Sequence, residues 1–252
     1  MRSVITTLSV LEAVGELQPV GVSDVARRAG VPKTTAHRVL QALGTLGWIR
    51  PTDEAQVRWT LSNRVLTLAA QFAIGSDILE LALPAMRELH RRTGETIHLT
   101  VPEGTEVVLL HKIESTKPVR TYSWVGGTSP IHATSSGKAI LACLPEAEVT
   151  ALLGEGLERS TDRTIVDLER LHEDLRAIRE RGYALNAAEW RNDVAATAAA
   201  ILDPIGRPIA ALSISMPLHR FPAELWEEYG ALVSTAAVVA TGKPWPAAEA
   251  GT

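Results

Sequence analysis

Four polar side chains near the N-terminus recur at the spacing of one helix face, and their chemistry suits DNA. Thr34, His37, Arg38 and Gln41 stand at positions i, i+3, i+4 and i+7. The opposite face is apolar and carries Ala36, Val39, Leu40 and Leu43. The polar side chains can hydrogen-bond base edges, and neighbouring cations can hold phosphates. An exposed helix of this kind predicts a surface that reads a duplex.

A second group of polar residues, further along the chain, could bind a small oxygen-rich ligand. Ser135 and Ser136 lead into a helix whose free N–H groups favour an anion. Ser213 and Ser215, two apart in an apolar strand, point to one face and require a polar partner. Asn186 ends a strand and can both donate and accept. These positions predict a site for a small carboxylate or similar metabolite. Hydrogen bonds to the local backbone are the alternative role for the serines.

Two other kinds of site compete with this interpretation. Ser135-x-x-Lys138 has the spacing of a serine nucleophile activated by a lysine, but the Ser-Asp-Asn and Lys-Thr-Gly elements of penicillin-recognising enzymes are absent. His98, His111 and His132 could form a metal sensor, yet no pair has a tight ligand spacing. The sequence therefore predicts no catalytic residue, no metal site and no cofactor. A serine hydrolase, a metal-responsive sensor and an N-terminal head that binds protein instead of DNA remain as alternatives.

The polar helix face requires a helix-turn-helix to present it. Val22–Leu46 predicts two helices joined by a tight turn, with Ser23 as the N-cap of the first. Gly30 ends that helix where a left-handed residue is favourable, and Pro32 suits the start of the next. Val4–Leu17 predicts a supporting helix ahead of them.

The pattern after these helices predicts a wing. Trp48–Arg50 and Gln56–Thr60 are typical of a small hairpin turned through Pro51–Ala55. Residues 1–61 are therefore expected to form a winged helix-turn-helix. Its predicted DNA-binding residues are Ser23, Lys33, Thr34, Thr35, His37, Arg38 and Arg58. Lys33 and Arg58 are assigned to phosphates, which set affinity and register but carry no sequence information.

Two amphipathic helices should follow the wing. Residues 62–76 predict a linker helix, and residues 77–93 predict a second helix that Pro84 should kink or divide. Their apolar faces have no obvious partner in the N-terminal domain. They are expected to pack either on a second copy of the chain or on the C-terminal domain.

From Gly94 the pattern becomes extended. Short connections between the predicted strands favour a largely antiparallel sheet in an α+β domain. The predicted strands are Thr96–Val101, Glu106–Ile113, Val119–Trp124, Tyr183–Asn186, Ala195–Ile201 and Pro208–Ser215. This domain is expected to span residues 77–243, and residues 244–252 to form a flexible tail.

The composition is that of a globular protein, with 46% hydrophobic and 21% charged residues among 252. Residues 1–62 hold seven Lys or Arg against five Asp or Glu, whereas the remainder holds 18 against 24. The basic excess therefore lies where DNA contact is predicted. A single cysteine, Cys143, excludes an intramolecular disulfide, and no apolar run suggests a membrane span or signal peptide. We expect a cytoplasmic protein with no membrane partner.

The chain resembles the IclR family of bacterial transcriptional regulators along nearly its whole length. The matching segments are VSDVARRAGVPKTTAHRVLQAL, IHATSSGKAILA, DRTIVDLERLHEDLRAIRERGYALNAAE and GRPIAALSIS. The resemblance implies a winged helix domain and a GAF-like effector-binding domain. It also implies homodimers or homotetramers on double-stranded operator DNA, and effectors that are small organic acids or aromatic metabolites.

The resemblance further implies a set of effector contacts. They fall on Ser135, Ser136, Asn186, Ser213 and Ser215, and on Ala196, where the family often has cysteine or serine. Asn186 stands where an acidic residue is common, and Ala200 replaces a frequent proline. One wall of the pocket should therefore be less polar than in other members. The expectation is a transcriptional regulator, most simply a repressor, whose operator binding responds to an effector.

Overall fold

The computed structural model describes residues 2–52, 57–73, 78–154 and 156–244. The wing turn at 53–55 and the predicted strand start at Gln56 lie outside these residues. So do the last part of the predicted linker and the predicted tail from residue 245 onward. The chain divides into two compact units, residues 1–76 and 77–252.

The first unit is a winged helix-turn-helix. Its described elements are α1 (Arg2–Leu17), α2 (Val22–Arg28), α3 (Lys33–Thr45), β1 (Ile49–Pro51), β2 (Trp59–Leu61) and α4 (Arg64–Ala73). The two strands pair antiparallel, which confirms the wing. Ala36, Leu40 and Leu43 of α3 are buried in one core with Val25 and Ala26 of α2, as the helical spacing predicted.

The turn between α2 and α3 has the predicted glycine and proline, but the N-cap of α2 differs from the prediction. Gly30 has a φ of 64°, in the left-handed region that glycine enters without strain. Pro32 directly precedes α3. The prediction that Ser23 caps α2 is wrong, because the N-cap is Gly21 and Ser23 is an exposed residue of the first turn. Val22 already belongs to the helix and packs against the core, so the helix begins before Ser23.

Apolar side chains remain exposed on two helices of this unit. Each of the following is more than half exposed: Val4, Ile5 and Leu8 of α1, and Leu66 and Leu68 of α4. The buried residues of α1 are Val10, Ala13 and Val14. The unit therefore presents apolar surface that its own core does not use.

The second unit is built on an antiparallel sheet. Its strands are β3 (Thr96–Glu103), β4 (Glu106–Ile113), β5 (Thr128–Pro130), β6 (Ala184–Ala187), β7 (Val194–Leu202) and β8 (Pro208–Pro217). They lie in the order β5-β4-β3-β8-β7-β6, and each neighbouring pair is antiparallel. The predicted α+β arrangement is confirmed.

Helices pack on both faces of this sheet. They are α5 (Ile78–Thr93), α6 (Ser135–Ala142), α7 (Glu146–Leu153), α8 (Leu168–Arg181) and α9 (Trp226–Thr241). One core joins α5 and α9 to the face that carries Leu99 and Leu212, and the other joins α6 and α8 to the opposite face. The apolar side of α5 is thus buried within its own unit. Pro84 lies inside α5 and does not divide it, contrary to one of the predicted outcomes.

The predicted strand Val119–Trp124 is wrong. Residues 114–127 form an irregular segment, and the edge of the sheet is taken by β5 instead. Side chains hold its backbone: Lys112 Nζ donates to Ser123 O at 2.6 Å, and Arg220 Nη1 donates to Val119 O at 2.7 Å. Because these donors satisfy its carbonyls, the segment can run beside the sheet without joining the ladder.

Candidate functional site

The outer face of α3 is the first candidate site. Lys33, Thr34, His37 and Arg38 are exposed, and Thr35 is half-buried. The buried apolar face on the opposite side fixes the helix in this orientation. The face therefore presents one amino group, one guanidinium, hydroxyls and an imidazole to a partner, as the spacing predicted.

The wing contributes to the same surface. A groove in the first unit is lined by Ser23 of α2, by Lys33, His37 and Gln41 of α3, and by Arg58, which precedes β2. Arg58 Nη1 also donates to Pro19 O at 3.1 Å, so the protein itself orients this guanidinium. Predicted DNA-binding residues from three segments thus lie along one groove.

The second candidate site is a cavity in the C-terminal unit. It is a partly open cavity with a volume of about 90 Å³. Its lining contains all six predicted effector positions, which are Ser135, Ser136, Asn186, Ala196, Ser213 and Ser215. Residues up to eighty positions apart in the chain therefore meet around one space.

The register of the sheet explains how the cavity floor forms. Ser215 pairs with Ala196 of β7, and Ala196 in turn pairs with Asn186 of β6. Ser213 pairs with His98 of β3 on the same face. The two serines of β8 are nearly fully buried, and their neighbours Leu212 and Ile214 enter the opposite core. The alternation of β8 thus aims both hydroxyls into the cavity, as predicted.

The beginning of α6 forms another part of the wall. Thr134 caps this helix by accepting from the Gly137 N–H at 3.2 Å, and Ser135 and Ser136 occupy the first turn. A Cβ on Gly137 would stand 1.9 Å from Ile131 O, so only glycine permits this close approach. In the described part of the chain, the hydroxyls of Ser135, Ser136 and Ser213 have no protein hydrogen-bond partner. Buried hydroxyls beside a positive helix end suit an anionic or oxygen-rich ligand.

Asn186 has a more structural position than the sequence suggested. Its Nδ2 donates to Ala133 O, and its Oδ1 accepts from the Glu189 N–H at 3.4 Å. Both ends of the amide are therefore engaged. Asn186 lines the cavity, but its bonds join the entrance of α6 to the connection between β6 and β7.

Several lining residues were not found from the sequence. They are His98, Ser123, Trp124, Trp190 and Arg191, which come from β3, from the 114–127 segment and from the β6–β7 connection. His98 Nε2 and Ser123 Oγ share a hydrogen bond of 3.0 Å. Burial, assisted by the nearby Lys112 cation, lowers the pKa of His98 to about 4, so the imidazole is neutral at pH 7. One of these residues lies on a strand and the others on two irregular segments. No periodic pattern in the sequence places them in the same site.

Lys138 does not pair with Ser135 as a hydrolase would require. Its Nζ lies 2.8 Å from Asp174 Oδ2 and 2.7 Å from Glu189 Oε1, and the side chain is 2% exposed. The ammonium group is thus engaged by two carboxylates, one from α8 and one from the β6–β7 connection. A lysine held in this way has a structural role.

The three histidines of the metal hypothesis have separate surroundings. His98 faces the cavity, and His132 Nε2 is 3.0 Å from Glu158 O. His111 pairs with Leu99, which belongs to the opposite sheet face from His98. Within the described ranges, no group of three or more His, Cys, Asp or Glu is placed to hold a metal. In the same ranges, no helix is long and apolar enough to cross a membrane.

Comparison with known proteins also gives two domains, one at each end of the chain. The IclR helix-turn-helix domain matches residues 3–53, and the bacterial transcriptional regulator IclR C-terminal domain matches residues 71–239. The HTH-type transcriptional regulator KdgR of Escherichia coli K12 is 37% identical over 239 residues, which cover 94% of this chain and 90% of KdgR. The transcriptional repressor IclR of the same strain is 32% identical over 241 residues, with 94% and 88% covered.

A solved structure agrees with the fold. The crystal structure of an IclR homolog from Microbacterium hydrocarbonoxydans, complexed with 4-hydroxybenzoate, has a TM-score of 0.78 and 29% identity, with 95% of this chain and 98% of that chain covered. Both domains therefore have counterparts in one group of proteins. The chain belongs to the IclR family of bacterial transcriptional regulators.

Proposed function

We propose that this protein is a repressor whose affinity for its operator is set by a small carboxylic acid, aliphatic or aromatic, bound in the C-terminal cavity. The observation that carries the proposal is the meeting of six sequence-predicted positions around one cavity. Membership of the IclR family supports a role in transcriptional regulation. Relatives that are named repressors support repression over activation.

On the DNA side, α3 enters the major groove of the operator. Thr34, Thr35, His37 and Arg38 approach base edges, because they lie on the outer face of the helix. Lys33 and Arg58 hold phosphates along the groove that they share with Ser23.

On the effector side, the hydroxyls of Ser135, Ser136, Ser213 and Ser215 bind ligand oxygens. Thr121 Oγ1 and Ser215 Oγ are 3.3 Å apart and share a hydrogen bond. A ligand that binds the Ser215 hydroxyl replaces this hydrogen bond with one of its own. Trp124 and Trp190 line the same cavity and suit an aromatic ring. The Microbacterium relative binds 4-hydroxybenzoate, and an acid of this kind fits the same mixture of aromatic walls and hydroxyls.

The working form is a homodimer. The exposed apolar side chains of α1 and α4 support contact between N-terminal units of two copies. A dimer places two reading helices in successive major grooves of a palindromic operator. Effector binding shifts the equilibrium between two spacings of these helices, and the helices within residues 62–93 transmit the shift.

No catalytic role is assigned to Ser135. Asp174 and Glu189 engage Lys138, so the lysine is not directed at the Ser135 hydroxyl, and the proposal needs no metal or cofactor. A protein that works in this way is cytoplasmic, because its operator is there.

The test has two steps. The purified protein is used to select duplexes from a random DNA library, and the affinity for the selected duplex is measured at rising salt. A thermal-shift screen of organic and aromatic acids then finds ligands, which raise the melting temperature by mass action. The proposal predicts a steep loss of DNA affinity with salt and a ligand that releases the duplex. Selection of no duplex sequence would contradict it.

A further inference from the structure

The cavity has an unusual distribution of charge. Its lining consists of hydroxyls, an amide, apolar and aromatic side chains, the neutral His98 and Arg191. Among the described lining residues, Arg191 carries the only formal charge at pH 7, and no carboxylate opposes it. An anionic ligand would therefore meet one full positive charge inside the site.

Two contacts hold the guanidinium of Arg191 in position and leave several of its N–H donors for a ligand. Its Cζ lies 4.2 Å from the centroid of the Trp190 ring, and Nη1 donates to Tyr122 O at 3.0 Å. Stacking on the indole fixes the plane of the guanidinium, and one carbonyl takes one of its five donors. The other donors are available for a carboxylate, which a planar guanidinium can bind through two parallel hydrogen bonds.

The other polar groups of the cavity discriminate less between a carboxylic acid and its neutral amide. The hydroxyls of Ser135, Ser136, Ser213 and Ser215 can donate to a neutral carbonyl as well as to a carboxylate. The start of α6 favours an anion only as a partial charge. A charge-assisted bond to Arg191 is roughly twice as strong as a neutral one, so it separates an acid from its amide.

We infer that Arg191 is the counter-ion of the effector and the residue that selects carboxylic acids over their neutral amides. This inference rests on the proposed function, because it assumes that the cavity binds the effector. Arg191 acts by direct contact with the ligand carboxylate, while the serines bind its other oxygens.

The experiment compares acids with their amides on the full chain. The probes are three pairs, 4-hydroxybenzoate with 4-hydroxybenzamide, nicotinate with nicotinamide, and lactate with lactamide. Binding is followed by calorimetry and by the fluorescence of the cavity tryptophans. The wild-type protein should bind at least one acid about tenfold to a hundredfold more tightly than its amide, as expected for a charge-assisted hydrogen bond.

The variants separate charge from fold. Arg191→Gln should bring the acid-to-amide ratio close to one, and Arg191→Lys should give an intermediate ratio, since it keeps the charge but loses the fork. The control is Arg207→Gln, an exposed arginine outside the cavity, which should keep the wild-type ratio. Circular dichroism verifies that each variant is folded.

The outcomes distinguish the two proposals. An Arg191→Gln protein that still prefers the acid by the wild-type ratio would overturn the role of Arg191 and leave the proposed effector class intact. Equal wild-type binding of an acid and its amide would overturn it in the same way, even if the variants did not fold. If wild-type protein bound none of the acids, the effector class would be contradicted together with this inference, while the DNA-binding proposal would stand on its own test.

Discussion

Lys138 and Glu189 form an ion pair inside the C-terminal unit, with Nζ 2.7 Å from Oε1 and 2.9 Å from Oε2. The pair joins the fourth residue of α6 to the β6–β7 connection. Both elements carry lining residues of the cavity, Ser135 and Ser136 on one side and Trp190 and Arg191 on the other. The pair therefore fixes two walls of the cavity relative to each other.

Lys138→Met should destabilise the protein strongly. Removal of the ammonium leaves Glu189, which is 12% exposed, beside the Asp174 carboxylate without the lysine that both share, while Asp174 keeps Arg181 at 3.8 Å. Loss of one partner of a buried pair costs about 3 to 5 kcal/mol. The measurement is the melting transition of the C-terminal unit by calorimetry. The double variant Lys138→Met with Glu189→Gln should recover part of the loss, and a single variant as stable as wild type would show that the pair contributes nothing.

Arg38→Ala should weaken operator binding while leaving the fold unchanged. Arg38 is exposed on the outer face of α3, so its side chain contributes nothing to the core. A base or phosphate contact is worth roughly 1 to 3 kcal/mol, or about tenfold to a hundredfold in affinity. A gel-shift titration on the selected duplex measures the change. Arg87→Ala, also exposed but on α5, is the matched control, and equal affinity of the two variants would remove Arg38 from the DNA surface.

Ser213→Ala combined with Ser215→Ala should strongly reduce the response to the effector. Two hydroxyls that face the cavity are removed without loss of apolar packing, since Leu212 and Ile214 remain in the opposite core. Two hydrogen bonds are worth about 1 to 3 kcal/mol together, so ligand affinity should fall by roughly fivefold to 150-fold. Ligand-induced thermal shift is the readout. Thr235→Ala, on the outside of α9, serves for comparison, and a normal shift in the double variant would mean that the cavity is not the effector site.

Because of His98, the free energy of unfolding should depend on pH between about pH 4 and pH 6.5. The unfolded chain binds a proton at this imidazole near pH 6.5, whereas burial lowers the folded pKa to about 4. Stability is therefore complete above pH 6.5 and is lost as the pH falls towards 4, by up to about 3 kcal/mol. Melting temperatures of wild type and His98→Gln, measured from pH 4 to pH 7, give the contribution by difference. Parallel curves for the two proteins would show that His98 titrates normally.

Leu66→Glu with Leu68→Glu should convert dimers into monomers. Both leucines are more than half exposed on α4, and a charge there would be buried without a partner in a dimer. Analytical ultracentrifugation gives the mass. Ile205→Glu, 81% exposed in the second unit, should leave the mass unchanged. A double variant that keeps the wild-type mass would place the dimer contact elsewhere.

The elements with strong local signals were predicted well. The apolar period of α3 and the two residues Gly30 and Pro32 located the reading helix, and β4 has the predicted bounds. Ser213 and Ser215 were grouped correctly because strand alternation sends residues two apart to one side. In these cases the structure depends on contacts that are near in sequence or repeat regularly.

The errors arose where distant contacts decide the structure. Residues 119–124 alternate like a strand, yet donors from Lys112 and Arg220 satisfy their carbonyls and keep them out of the sheet. His98 joins Ser213 only through the register of β3 with β8, and Arg191 joins the cavity only through the β6–β7 connection. No short-range pattern reports such contacts, so the charged part of the cavity could not be found from the sequence.

Gly137 limits how this protein could be adapted as a biosensor. Its missing side chain lets α6 rest directly on the Ile131 carbonyl, and the smallest added group would push the helix start away from the sheet. Libraries that seek a new ligand should therefore keep this position as glycine and diversify the apolar wall at Val107, Leu109 and Val194. Such libraries would change the shape of the cavity while keeping the start of α6, which favours an anionic ligand.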